Sequence, residues 1–195
     1  MCPPEWAIGA GRRLDLSEFR SHFMEQWRST NTRFRKLECW QDYQEPSAGS
    51  LVAFNSGDLI ETKRLLKEEA EVDDPIYKDV QQKGIDFARI RLIQRPLTPY
   101  LKFELMSYQI RQEMGETILI VELANDVKVP SEEYFDFLLF DRRVALVHNY
   151  GDDGLQRGGW YVDQPSVIVK LEERVESLRR MSIDLKDFLA TDHDG

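Results

Sequence analysis

The chain has 195 residues, 42% hydrophobic and 11% aromatic, which is a folding rather than a disordered composition, and no Gly/Ser- or Pro-rich linker divides it, so one domain over 1–195 is expected. Thirty-five acidic against 26 basic residues give a net charge of −9, which disfavours non-specific attraction to nucleic acid or an anionic membrane. No apolar run reaches the length of a membrane span, and Met1 to Trp6 lacks the basic start and apolar core of a signal peptide, so no membrane contact and a cytoplasmic location are expected.

Residues 1–13, with two prolines and two glycines, read as flexible or loosely packed, with Trp6 and Ile8 able to dock on the surface. Leu16 to Trp27 then repeats apolar residues at 16, 19, 23 and 27, the spacing of a helix face, with Asp15 or Ser17 as the cap. Over 30–43 the sequence leaves two readings open. Phe34, Leu37, Trp40 and Tyr43 have helical spacing, whereas the Thr, Phe, Trp and Tyr content favours a strand. The Arg33–Lys36 cluster combines cations with an aromatic ring, as single-strand binders do, but in so acidic a chain it reads first as a solvated face.

Pro46 to Ser50 reads as a turn, Asp58 to Glu69 as a short helix, and Pro75 to Lys83 as another that ends at Gly84. The acidic run Glu68 to Asp74 lacks the ligand ladder and bend glycine of a calcium loop and reads as a solvated helix end.

Ile85 to Glu122 is the central unit: strand, loop, helix, strand. Alternation over 85–93 places Phe87, Arg89, Arg91 and Ile93 on one face and Asp86, Ala88, Ile90 and Leu92 on the other. Thr98-Pro99 supplies a hydroxyl cap and a first-turn proline, so a helix is predicted over 99–113, with Leu101, Leu105 and Tyr108 as its apolar stripe and Tyr100, Glu104 and Ser107 on a flank. Gly115 ends it before an aliphatic strand over 118–121. Arg95, Tyr100 and Glu104 thereby fall where a strand ends and a helix begins, the usual position of ligands in α/β folds. A structural ion pair between Arg91 and Glu104 is the plainer reading of those two residues.

Beyond a turn-rich link over 125–131, an aromatic strand over 134–140 joins one over 144–150 through Asp141-Arg142-Arg143. Gly151-Asp-Asp-Gly154 leads to a third strand over 159–162, giving a hairpin extended to a meander. His148 and Tyr150 share one strand face, and Asp141 and Arg143 lie at the preceding turn. Pro165 to Leu189 has the three-to-four-residue rhythm of one long helix, and 190–195 reads as a flexible tail. The fold class expected is α/β: a mixed sheet with a hairpin and meander in the C-terminal half, flanking helices and a long C-terminal helix.

No strong catalytic motif is present. Gly9-Ala-Gly11 lacks the context of a dinucleotide loop, and there is no Walker loop, nucleophile elbow or His-x-Lys pair. Cys2 and Cys39 form no Cys-x-x-Cys pair, and His22, His148 and His193 have no ligand spacing, so no metal and no cofactor are expected. The adjacent carboxylates Glu132-Glu133 and Glu172-Glu173 read as surface pairs.

The string Arg91-Leu-Ile-Gln-Arg-Pro-Leu-Thr-Pro-Tyr-Leu-Lys-Phe-Glu104, with Leu37-Glu38, Tyr43, Gly115-Glu116 and Asp136-Phe-Leu-Leu-Phe-Asp141-Arg-Arg143, resembles a bacterial family of small proteins of unknown function. The resemblance covers roughly 37–189. Its members are commonly encoded beside helix-turn-helix transcriptional regulators, so the resemblance implies a helix-turn-helix DNA-binding protein as partner and no established activity. A weaker likeness in strand order and final helix connects the family to the ligand-sensing halves of some such regulators. Two positions depart from the family pattern. Met-His-Tyr is here His148-Asn149-Tyr150, which moves the imidazole to the opposite strand face, and an often acidic position is Trp160.

The resulting expectation is a non-catalytic regulatory or sensor module that works with a separate DNA-binding protein. A small anionic ligand would bind at Arg91, Arg95, Tyr100, Glu104, Asp141 and Arg143, with no catalytic residue assigned and direct nucleic-acid binding disfavoured. The alternative is a hydrolase or transferase acting on a phosphate- or carboxylate-bearing substrate, with Arg91 and Arg95 on the anion and Glu104 or Asp141 as acid/base.

Overall fold

Three period-two stretches assemble the centre of the molecule: β2 (Arg33–Glu38), β3 (Asp86–Ile93) and β4 (Ile118–Glu122), paired in parallel with Glu38 opposite Arg91 and Arg91 opposite Ile120. The computed structural model describes residues 3–192, and among these the strands form one eight-stranded mixed sheet. On one side of the parallel centre run β5 (Phe137–Phe140), β6 (Val144–His148), β7 (Gly159–Val162) and the edge strand β1 (Arg12–Leu14). On the other, β4 pairs with the two-residue β8 (Ile183–Asp184). The hairpin between β5 and β6 closes on Asp141 and Arg142 at φ 46° and 57°, the positive-φ pair that matches strand twist.

Helices cover both faces because both faces carry apolar side chains. Leu37, Ala88, Ile90, Leu92, Phe137, Leu139 and Val147 meet Ile168, Leu171, Val175 and Leu178 of α7 (Pro165–Met181). The opposite face carries Phe34, Phe140 and Leu146 under Phe19, Phe23 and Trp27 of α2 (Leu16–Ser29), whose Asp15 cap forms a reciprocal box with Glu18. Phe19 approaches the sheet this closely because Gly159 has no side chain: a Cβ there would lie 2.0 Å from the Val147 carbonyl and 2.8 Å from the Phe19 ring. Further along the same face, α6 (Pro99–Glu113) and α8 (Leu185–Asp192) bury Leu101, Leu105, Tyr108, Leu185 and Phe188 on Ile93, Ile118 and Ile120. Beside them pack α4 (Leu59–Glu71) and α5 (Asp74–Lys83), the latter closed by Gly84 in the left-handed region at φ 66°.

The α/β class, the hairpin-meander and the helix over 99–113 are as expected from sequence. Three local readings are corrected, and one that the sequence left open is decided. Residues 3–13 are packed rather than loose: α1 (Glu5–Ile8) buries Ala7 and Ile8, and β1 pairs with β7. The open segment is a strand, because extension gives Phe34 and Leu37 opposite faces to bury. The stretch read as a turn runs into α3 (Gly49–Asn55), where Ser50 donates to Glu69 of α4 at 2.8 Å. The long last helix breaks at Ser182, because Ile183 and Asp184 satisfy the open edge of β4 before α8 begins with Asp184 capping Lys186. Arg89 and Arg91, placed by alternation on one face with Phe87 and Ile93, are buried. Residues 193–195 of the predicted tail, with His193 and Cys2, lie outside the described residues, whereas 190–192 belong to α8.

Candidate functional site

Between the aromatic cluster under α2 and the aliphatic cluster under α6, the sheet face changes from apolar to charged. Period two carries Phe34, Lys36 and Glu38 along β2 and Phe87, Arg89 and Arg91 along β3, so the alternation that buries the phenylalanines also places four charges side by side near the carboxyl ends of parallel strands. His148, on the same face, comes from the end of β6.

Such charges persist under a helix layer only if they satisfy one another. Arg89 donates to Glu116 at 2.5 Å and to Glu38 at 2.9 and 3.1 Å, and Tyr108 donates to Glu38 at 2.7 Å. Glu116 also accepts from Tyr77 at 2.8 Å, whose hydroxyl accepts from Arg111 at 3.1 Å. Arg91, with no exposed surface, donates to Glu104 at 2.7 Å and to the carbonyls of Leu92 and Trp40, with its guanidinium 5.4 Å from the Tyr43 ring centroid. Tyr43 in turn donates to Asp136, which also takes the Cys39 thiol and backbone N–H.

The two central carboxylates divide their roles. Burial opposes ionisation of both, but Arg89, Lys36 and Arg91 hold Glu38 well below the usual carboxylate range. At Glu104 burial prevails over Arg91, and the neighbouring Glu38 charge adds to it, pushing the carboxyl up to about 7. Burial, reinforced by the Lys36 charge, pushes the His148 imidazole down to about 3, so it is neutral near pH 7. Burial and the Asp136 carboxylate push the Cys39 thiol up, which removes it as a thiolate nucleophile.

Above this network lies a cleft of about 520 Å³ lined by Arg20, Lys36, Glu38, Tyr43, Tyr100, Glu104, His148, Tyr150 and Gln156, among others. Tyr43 stands at its centre, with ring centroids 5.0 Å from Tyr150 and 5.5 Å from Tyr100. A smaller cavity of about 210 Å³ lies against the aromatic cluster and shares Lys36 and His148 with the cleft.

Of the six residues singled out in the sequence, Tyr100 and Glu104 line this cleft and Arg91 supports it from beneath. Arg91 is wholly committed to Glu104 and main-chain carbonyls, so the plainer reading of that pair, a structural one, is the geometry observed. Arg95 is not with them: half-exposed, it reaches Glu122 at 3.2 Å and lies 5.2 Å from the Phe188 ring centroid. Asp141 and Arg143 lie at the far end of the strands. There the Asp141 carboxylate accepts from the backbone N–H groups of Asn31, Thr32 and Arg33 at 2.8–2.9 Å, and Arg143 reaches Asp141 at 3.4 Å. The Asp-Arg-His grouping suggested by the hairpin sequence is therefore not assembled.

Sequence reasoning missed Lys36, Glu38, Tyr43, Asp136 and the cleft-facing role of His148 and Tyr150. A usable signal existed, since Lys36 and Glu38 repeat on β2 the period-two charge pattern seen at Arg89 and Arg91 on β3. That signal requires β2 to be recognised as a strand. Among the described residues no group of acidic, histidine or cysteine side chains could hold a metal ion, and no helix is long and apolar enough to cross a membrane.

The model of the DUF6879 family, a domain of unknown function, matches residues 21–190, and the chain belongs to that family. No curated protein matches it. Among solved structures, the chain is similar to TrmBL2, an archaeal chromatin protein reported to show a novel mode of DNA binding, at 10% identity and a TM-score of 0.46. That alignment covers 89% of this chain and 53% of the other, so this chain spans about half the length of that protein.

Proposed function

We propose that this chain is a non-catalytic regulatory module that takes a small ligand into the cleft and works with a separate helix-turn-helix DNA-binding protein. The observation that carries the ligand part is the cleft itself: concave, aromatic on one wall, at the carboxyl ends of parallel strands, over an ion-pair network whose members are already satisfied. A satisfied network gives a rigid polar floor, which suits selective binding. The neutral His148 and protonated Cys39 are poor candidates for base and nucleophile near pH 7. The partner class comes from the family resemblance, and the net charge of −9 suits a basic partner. This reading moves the anion site away from Arg91 and Arg95, which have other partners.

The test is capture of the tagged full chain at near-physiological salt, alongside melting temperatures measured with a panel of small metabolites. Retrieval of a helix-turn-helix protein and a ligand-dependent rise in Tm are expected. Failure of both sinks the reading. The second reading, a hydrolase or transferase, rests on Glu104, whose carboxyl at about 7 lies in the range useful for general acid/base work. Turnover of a phosphate or carboxylate ester that Glu104→Gln abolishes would establish it instead.

A further inference from the structure

We infer that the ligand site accepts a small aromatic carboxylate, with its ring in the 210 Å³ cavity and its carboxylate at Lys36 and Arg20; this rests on the reading of the cleft as a ligand site. One wall of the cavity is aromatic and aliphatic, formed by Phe23, Trp27, Phe34, Ile76, Phe87 and Leu138; the other is polar, with Arg89 paired to Glu116 and Arg111 to Asp73 beside Tyr77, Lys36 and His148. Phe34 and Phe87 stack at 5.2 Å with 10° between their planes, and Trp27 meets Phe34 edge-on at 5.4 Å. Trp27 keeps its indole N–H on Asp79 at 3.0 Å, so the wall offers ring surface without an unmet donor. An apolar cavity of about 150 Å³ is enough to hold benzene, so the volume here suits one six-membered ring with a short substituent.

The polarity of the head group follows from which hydrogen-bonding capacity at the junction is still unused. Lys36 and His148 line both compartments and therefore stand where a substituent on the buried ring would emerge. The acceptors there are full. Each Glu38 oxygen takes two contacts, Oε1 from Lys36 and Arg89 and Oε2 from Arg89 and Tyr108, which accounts for its lone pairs. The donors are not. The Lys36 ammonium has three N–H groups and makes one ion pair, with Glu38 at 2.7 Å, and exposed Arg20 on α2 makes no hydrogen bond or ion pair among the described residues. Spare donors and saturated acceptors select a ligand head that accepts, and the two cations select one that is negatively charged. Carboxylates at the mouth are engaged elsewhere, Glu45 with Tyr100 and Glu69 with Ser50.

Titration of the purified full chain with phenylacetate, benzyl alcohol and acetate, read by calorimetry and by tryptophan emission, tests the proposal. Phenylacetate is expected to bind and raise Tm, with the other two at least about tenfold weaker. Lys36→Gln and Arg20→Ala are each expected to weaken phenylacetate about fivefold or more. Arg20→Ala, at an exposed site, should leave the unliganded Tm unchanged, which separates lost contact from lost fold. Equal binding of benzyl alcohol overturns the anionic head, and equal binding of acetate overturns the aromatic seat. If a broader metabolite panel raises Tm but no aromatic carboxylate does, this inference falls while the ligand-binding reading stands. If nothing in the panel binds, both fall.

Discussion

Glu104→Gln is the most informative single change, because burial beside Glu38 sets the sign of its effect and its order of magnitude follows. The folded carboxyl titrates near 7, against an ordinary value of 4.5, because burial beside Glu38 outweighs Arg91. Between those two values the folded chain holds a proton that the unfolded chain has released, so stability is fully present below about 4.5 and is lost as pH rises through about 7. A difference of about 2.5 pH units at about 1.4 kcal/mol each sets the loss at about 3 kcal/mol. Glutamine mimics the protonated acid and does not titrate. The Glu104 carboxyl is hydrogen-bonded with the Tyr108 hydroxyl, which donates its own hydrogen bond to Glu38, and an amide in that place preserves the chain of contacts. Urea unfolding of both proteins from pH 4.5 to 8 is the assay, and the carboxylates remote from Glu104 cancel in the difference. The native chain should lose about 3 kcal/mol relative to the variant over this range, with near-equal stabilities at the acid end. A difference that stays flat, or a native chain that gains on the variant as pH rises, would show that Glu104 is ionised throughout, and the division of roles with Glu38 would be wrong.

Other changes probe separate parts of the fold. Arg35→Ala removes a fully buried guanidinium that joins β2 to Glu176 of α7 and to Asp86, and chemical denaturation should show a loss of about 3 kcal/mol. Asp141→Ala strips three backbone N–H groups and the Thr32 hydroxyl of their acceptor and should cost about 2–3 kcal/mol while leaving phenylacetate affinity unchanged by calorimetry. The backbone N–H groups of Arg33, Asn31 and Thr32 and the Thr32 hydroxyl hold that carboxyl below its ordinary value against the cost of burial. Its contribution should therefore persist above about 3.8 and disappear as pH falls further, visible as a shallower acid-unfolding curve in the variant. Asp15→Ala breaks the capping box of α2 and should lower stability by about 1 kcal/mol, read as a shift in the urea midpoint at constant slope.

What the sequence determined by itself was local. Alternation over 85–93, the Thr98-Pro99 start and Gly115 stop of α6, and the turn residues of the hairpin and meander each act through a few neighbouring dihedral angles, so they are legible without knowing what packs against them. Where local signals conflicted or were weak, only tertiary structure decided. Residues 30–43 have helical spacing, yet 33–38 within them extend because β3 and β5 offer main-chain partners on both sides. The helix read over 165–189 breaks because the edge of β4 needs pairing, a demand set by a strand more than sixty residues earlier. The site shows the same division. Pairing of Arg91 with Glu104, 13 residues apart, followed from a strand-loop-helix unit that the sequence displays. Lys36 and Glu38 on β2 meet His148 on β6 only because β5 pairs with both strands, about a hundred residues from β2 in the chain. Asp141 and Arg143 leave the site because a hairpin turn lies at the opposite end of its strands from the residues that follow them. Burial is likewise a property of the assembled layers. Two arginines of β3 became the floor of a cleft because α6, with Glu104 and Tyr108, closed over them, and the charges then had to satisfy each other.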